Sequence, residues 1–407
     1  MLKNVDIKSA YLQGQDLSRD IFVRPPEEAK VHGKLWRLKK GAYGILDGGR
    51  LFYLRLVDEL TKLGLHRVHA DGAIFTFVKS GKLHGIIASH VDDLLMAGDK
   101  VFQEEVESKL SQVFQFSKVE NGSFKYCGCN ISKKGAVVEV EQHDYVSSLE
   151  FISMDNEDDL DRALSTSELK VLRGKVGEVL WISLITRPDL SFEVNRIAGE
   201  VSRATVRTKK DMNKLIQKAK SRVETLTFSK LGDIKDLSVK VYTDASFNNQ
   251  ENQIRSTAGR ITLLENVKTE RVNVISWKTK KIQRVCRSVK SAETRALEDG
   301  LDEAINIARI VKEIYNGRID LKLPDQLPVI ALTDSKSVWE NLYNSRQCEE
   351  KILRNTIAGI KELIELGMVK AVYWVPTNKQ LADCLTKKGM SSKDDWLLSV
   401  NSLNTLN

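Results

Sequence analysis

Residues 89–99 read SHVDDLLMAGD, and the pair Asp92–Asp93 inside them decides how the rest of the chain is understood. One apolar run, HGIIASHV (84–91), leads into the pair and another, LLMAG (94–98), leads out of it. Two readings are open. Asp favours turns because its carboxylate bonds nearby backbone amides, so the pair can be the tip of a hairpin. Two adjacent acids between apolar runs can also be metal ligands.

Upstream, GAIFTFVKSGKLHGIIASHV (72–91) reads as two strands joined at K-S-G-K. LFYLRLVDELTKLGL (51–65) has helical spacing, with Leu51, Leu54, Val57, Leu60 and Leu63 near one face. EEVESKLSQVF (104–114) reads as a further helix, residues 146–236 are helix-rich and basic, and NEDD (156–159) reads as a loop. From 237 the pattern changes. Strands are expected at LSVKVYTDAS (237–246), TAGRITLLE (257–265) and NVISWKTK (273–280), then a long helix at 291–315. A fourth strand, PVIALTDS (328–335), runs into a helix. Another helix, EKILRNTIAGIKELIELG (350–367), precedes a fifth strand, VKAVYWVP (369–376), and a short segment, NKQLADCLTK (378–387). That order implies a mixed sheet with helices packed on it.

A chain of 407 residues has room for two or three domains, and 42% apolar with 29% charged residues is ordinary for a globular protein. No run of about 18 apolar residues occurs, so no membrane span is expected. The N-terminus lacks the apolar core of a signal peptide. Five dispersed cysteines argue against a disulfide framework and for a reducing, intracellular setting. The single C-G-C (127–129) has no second ligand pair near it, and the H-x-x-H at His66 and His69 has no neighbouring carboxylate or cysteine, so both histidines read as surface residues. The net charge of +8 suits a nucleic-acid partner. It is concentrated at 202–222, where eight Lys or Arg stand against Asp211. This is either a solvated helix face or a phosphate-binding one, with Lys209, Lys210, Lys214 and Lys218 as candidate contacts.

In the C-terminal block Asp244, Glu293, Asp334 and Asp383 fall at the ends of expected elements. One such acid is more simply a cap. Four able to reach one sheet edge repel one another unless cations neutralise them, and two Mg²⁺ ions about 3.5–4 Å apart are the usual arrangement for phosphodiester cleavage.

YTDAS (242–246), ISWKTKK (275–281), SAETRAL (291–297), LTDSKSV (332–338) and QLADCLTK (380–387) resemble the ribonuclease H domain of copia-type retrotransposons. The resemblance implies that Asp244, Glu293, Asp334 and Asp383 are metal ligands for removing the RNA strand of an RNA–DNA hybrid. No histidine follows His143, so the mobile histidine of many related nucleases has no counterpart. The N-terminal half resembles the reverse transcriptase of the same elements. NVDIKSAYLQG (4–14), IFVRPPE (21–27), AYGILDGGRLFY (42–53), HVDDLLMAG (90–98) and ITRPDLSFEVNRIA (185–198) occur in the family's order. The resemblance makes Asp6 and Asp92 metal ligands facing each other across strands, with Asp93 in support. It places Tyr11 under the sugar of the incoming nucleotide, where a ring selects against a 2′-OH.

Three departures stand out. His90 takes the place of the family's usual Tyr, and Y-G-I-L-D-G-G-R (43–50) stands where Y-G-L-K-Q-A-P-R is common. Asp47 would repel a triphosphate unless Arg50 pairs with it, and Gly48–Gly49 should loosen the loop. The chain also opens at the first palm acid, so a fragment of a longer polyprotein, or a truncated element, is expected.

The fold expected is α/β (α+β). A truncated reverse-transcriptase palm and start of thumb (1–145) and a helical basic connection (146–236) lead to a ribonuclease H-like five-stranded mixed sheet with helices (237–390) and a tail (391–407). The function implied is a retrotransposon RNA-directed DNA polymerase with ribonuclease H activity. Each site would use two Mg²⁺ ions, with Mn²⁺ as the alternative metal. The expected partners are an RNA template, a DNA primer, their hybrid, deoxynucleoside triphosphates, and either a second copy or the rest of the polyprotein. The expected setting is a cytoplasmic virus-like particle, or the nucleus. The alternative is a relic that retains only hybrid cleavage or only nucleic-acid binding.

Overall fold

The alternation read in residues 72–98 becomes a sheet. In a computed structural model of the chain, residues 1–29, 33–154, 159–222, 224–247, 255–320, 325–344 and 348–388 are described. Most of NEDD and the whole 391–407 tail lie outside them. Met1–Cys127, Ile131–Lys133 and Ile310–Ile319 form one compact unit, and the remainder forms a second.

The first unit holds β1 (Leu2–Ile7), α1 (Gly48–Lys62), β2 (His66–Arg67), β3 (Ile74–Lys79), β4 (Lys82–His90), β5 (Asp93–Gly98) and β6 (Phe116–Asn121). The strands form one sheet in the order β2-β3-β4-β5-β1-β6. The K-S-G-K turn is as expected: Ser80 and Gly81 have φ of 51° and 74°, the left-handed pair that suits a tight hairpin. α1 buries Phe52, Leu56 and Leu60 on the sheet, while Leu54 is exposed. The buried face is therefore rotated from the leucine stripe read in the sequence. The larger Phe52 claims the interior, meeting Phe114 edge-on at 6.0 Å.

The second unit combines a helical block with a second sheet. α2 (Thr166–Ile185) begins in a capping box between Ser165 and Glu168, followed by α3 (Ser191–Glu200) and α4 (Val206–Ser221). Val179, Ile182, Val194, Ile197, Val206 and Ile216 form part of one core. Arg187 and Asp189 are buried there as a two-pronged pair at 2.8 and 2.9 Å. The other arm of Arg187 donates to the carbonyls of Ala219 and Arg222, closing the end of α4.

β7 (Leu237–Ser246), β8 (Thr257–Asn266), β9 (Val272–Lys281), β10 (Val329–Thr333) and β11 (Ala371–Trp374) form a sheet in the order β9-β8-β7-β10-β11. The first three are antiparallel, and β10 and β11 join in parallel. The mixed sheet expected from the element order is present. α5 (Val289–Asn316) crosses it through Ala292, Ala296 and Gly300, all at one-turn spacing. A Cβ at Gly300 would come within 2.3 Å of the Thr243 methyl, so only glycine lets the helix lie this close to β7. α6 (Lys336–Tyr343) follows β10, and α7 (Arg354–Glu365) precedes β11. The Trp277 indole donates to the Ser183 carbonyl at 2.7 Å, tying β9 to α2. No described helix is long and apolar enough to cross a membrane.

Gly300→Val should cost about 1–3 kcal/mol by overpacking, read as a lower urea midpoint. Gly174→Ala is the contrast: no atom lies within 4 Å of its added Cβ. It should be neutral or stabilising by up to about 1 kcal/mol, the helix-propensity difference between the two residues.

Candidate functional site

Three acids expected to meet in the second sheet do meet. Asp244 lies near the end of β7, Asp334 directly follows β10, and Glu293 is on α5 just past its start. The parallel pairing of β7 and β10, with Thr243 opposite Thr333, brings the two aspartates to one sheet edge. The glycine-permitted approach of α5 supplies the glutamate. One oxygen from each of Asp244, Glu293 and Asp334 lies within 4.8 Å of the other two.

Asp244 and Glu293 are both almost fully buried. Burial pushes the Asp244 carboxyl up to about 6, against the pull of Lys387 and Thr386. Burial, then the charges of Asp244 and Asp334, push Glu293 well above its ordinary value. Glu293 Oε2 is buried with no hydrogen-bond partner. An orphaned oxygen among converging hard-oxygen donors fits a divalent cation and is otherwise costly.

Asp383 does not join this trio. It is fully buried in the turn Leu381–Leu385, and its carboxylate takes the Lys387 ammonium at 2.6 Å. Lys387 also lies 3.6 Å from Asp244. Burial works against its charge, but Asp244 and Asp383 outweigh that and raise it overall. Thr386 donates to Asp244 and packs against Gly259, where a Cβ would come within 2.8 Å of the threonine methyl. Sequence reading missed the roles of Lys387 and Thr386, although both are the closing residues of the Q-L-A-D-C-L-T-K stretch that flagged Asp383.

In the same unit a cleft of about 780 Å³ is lined by Lys278, Lys280, Lys281, Arg284 and Arg295, and also by Glu298, Asp299 and Asp302. Burial and the nearby Arg203 depress the Lys281 ammonium. Lys280 is paired with Asp299, and the cations still outnumber the acids of the lining, an excess that suits a polyanion. The basic segment expected to do this work is mostly occupied elsewhere. Lys209 is 4% exposed and pairs with Glu168 at 3.2 Å, because the buried face of α4 carries it inward. Lys218 donates to the Asp189 carbonyl at 3.0 Å. Lys214 is 70% exposed and Lys210 is exposed, so these two remain on the surface.

In the first unit the aspartate pair straddles a hairpin. His90 pairs with Asp93, leaving Val91 and Asp92 as the tip, and Asp93 is the register partner of Asp6. Val91 has φ 57°, a left-handed conformation that costs a β-branched residue on the order of 1–3 kcal/mol. Burial, then the charges of Asp92 and Asp93, raise the Asp6 carboxyl, and burial raises Asp93 despite a bond from Asn4. The three do not converge within 4.8 Å as the second-unit acids do, among the described residues. Tyr11 stacks on Tyr43 at 4.6 Å. Gly48 and Gly49 do not form a loose loop. They open α1 against the Tyr11 ring, where an added Cβ would come within 3.2–3.3 Å. Nor does Arg50 neutralise Asp47: it stays exposed, and Arg19 holds that carboxylate at 2.8 Å.

The Asp244 shift has a sign that can be measured. Between 3.8 and about 6 the folded chain binds more protons than the unfolded one, so stability is lost as pH rises through that window. In EDTA the loss should be on the order of 2–3 kcal/mol by urea titration on either side of the window. Added Mg²⁺ should offset it above the window, by favouring the ionised acids.

Residues 1–158 match the family described as reverse transcriptase (RNA-dependent DNA polymerase). The retrovirus-related Pol polyprotein from transposon RE1 of Arabidopsis thaliana is 24% identical, over 95% of this chain and 26% of its own length. The transposon Ty1-ER2 Gag-Pol polyprotein of Saccharomyces cerevisiae is also 24% identical, over 95% of this chain and 23% of its own length. The chain thus spans about a quarter of the length of these relatives. Among solved structures, an N-terminal RNase H domain from Mycobacterium tuberculosis is 18% identical, covering 40% of this chain and 99% of that one with a TM-score of 0.27. Residues 1–158 thus carry the reverse transcriptase match, and the chain is similar to the Pol polyproteins of transposons RE1 and Ty1 along nearly its whole length.

Proposed function

We propose that the chain is an RNA-directed DNA polymerase with ribonuclease H activity, and that hybrid cleavage is the activity its geometry supports best. The observation that carries this is the convergence of Asp244, Glu293 and Asp334, with one Glu293 oxygen left unpartnered. These three acids would hold Mg²⁺, with Mn²⁺ as the alternative. Bound there, the metal supplies an activated water and stabilises the leaving oxygen of a phosphodiester. Asp383 acts at one remove by holding Lys387 beside Asp244. Thr386 orients the Asp244 carboxylate. Lys278, Lys281 and Arg284 in the cleft would hold the sugar–phosphate backbone. Lys210 and Lys214, exposed on α4, would offer further phosphate contacts.

In the first unit Asp6 and Asp92 would hold the metals for nucleotide addition, with Asp93 as their support. Tyr11, fixed by Tyr43 and the two glycines, would form the floor under the sugar. Arg50, exposed near the start of α1, would reach the triphosphate. The looser grouping of these acids favours a second reading in which cleavage alone is retained.

Asp244→Asn should abolish Mg²⁺-dependent cutting of an RNA–DNA hybrid, and undiminished cutting would place the activity elsewhere. The same preparation, offered a primed RNA template and deoxynucleotides, decides the second activity. Extension that Asp92→Asn removes supports both sites, whereas cleavage without extension supports the nuclease-only reading. Neutralising Lys278, Lys281 and Arg284 together should flatten the salt dependence of hybrid binding, each lost phosphate contact removing about 0.9 from the log–log slope measured on B-form DNA.

A further inference from the structure

The H-x-x-H at residues 66–69 has a carboxylate partner, and it lies 244 residues further along the chain. Glu313, in the last turns of α5, is grouped with the first unit and is completely buried. Its Oε1 lies 2.6 Å from His69 Nδ1 and 3.3 Å from His66 Nε2. Its Oε2 accepts the His69 backbone amide at 3.0 Å. The surface reading of these histidines is therefore incomplete. No sequence signal links residues so far apart, and only the fold brings them together.

The position of the glutamate is over-determined. Gly317 ends the helix with φ 73°, and its amide bonds the Glu313 carbonyl at 2.7 Å. A Cβ at Gly317 would approach Val78 to 3.3 Å. Among the described residues, the ion pairs of Glu313 are with His66 and His69. A buried carboxylate needs a nearby positive charge. Here that charge is either a proton on an imidazole or a metal cation.

The geometry points to a transition-metal site. His66 Nε2, His69 Nδ1 and one Glu313 oxygen lie within 4.8 Å of one another, in a cluster separate from the polymerase and nuclease acids. Two imidazoles and one carboxylate form a borderline donor set that selects Zn²⁺ over Mg²⁺ or Ca²⁺. An ion held by the three donors at about 2.0–2.2 Å would replace the hydrogen bonds that now join them. The His66 and His69 side chains are 31% and 56% exposed, which leaves an entry path and a fourth position for water. The His69 amide on Oε2 is the outer bond that orients a ligating carboxylate. On metal entry, the proton between His69 Nδ1 and Glu313 leaves to solvent. Binding therefore releases a proton and weakens as pH falls.

The test is titration of the full chain with Co²⁺, followed by Zn²⁺, with Mg²⁺ in excess to occupy the hard-oxygen acids. One equivalent of Co²⁺ should produce visible d–d absorption, and Zn²⁺ should displace it with proton release. The double variant His66→Ala/His69→Ala, which removes two partly exposed rings, should weaken binding by at least about tenfold. Glu313→Gln should do the same if circular dichroism shows it folded, and the histidine double variant decides the matter if it does not. Asp244→Asn should leave the titration unchanged. The proposal is overturned by an absence of saturable micromolar binding. It is equally overturned if binding is indifferent to the histidine substitutions or is lost in Asp244→Asn.

Discussion

The close approach of α5 to β7 is the constraint on which the second unit depends. Ala292, Ala296 and Gly300 present almost no side chain to the sheet, and the Thr243 methyl fills the space that a Cβ at Gly300 would need. Interiors are packed tightly enough that one methyl group sets the distance between two elements. That distance decides whether Glu293 reaches the edge where β7 and β10 deliver Asp244 and Asp334. The turn after β11 is fixed in the same way, by packing on Gly259 and by a bond from Gln380 to the Thr243 carbonyl at 2.9 Å.

Holding those carboxylates together works against folding. Burial penalises the ionised form of Asp244 and Glu293; the charges of Asp244 and Asp334 raise Glu293 further, and those of Asp383 and Asp334 raise Asp244. Lys387 and Thr386 relieve Asp244 from one side, and Glu293 Oε2 is left without a partner. The site is therefore poised for a cation rather than satisfied by protein groups alone. The contrast with Arg187–Asp189 is informative. There every charge is met by a geometric match, and the pair closes a helix end.

The same distinction separates the two uses of lysine. Lys209 looks in the sequence like one more cation on a basic helix, yet it is an internal strut for Glu168. On β9 and the loop after it, by contrast, Lys278, Lys281 and Arg284 line an open cleft. A run of like charges reports composition. Only the direction of each side chain separates a solvated face from a buried one.

Much of this protein was legible in its sequence. Strand alternation at 72–98, the order of elements after 237 and the placing of four acids at element ends, three of which converge, follow from local periodicity and turn chemistry, which act over a few residues. The aspartate pair lies at a hairpin, Asp92 in its tip and Asp93 opening the second strand, and it is also a candidate metal site. What the tertiary structure decided is everything that depends on distant residues meeting. It chose Phe52 over Leu54 for the core, paired Asp47 with Arg19, left Asp383 outside the converging acids and beside Lys387, and set Glu313 beside His66 and His69. The physical reason is the same in each case. Side-chain partners are selected by packing and by charge compensation across the fold, and neither leaves a signal at short range in the chain.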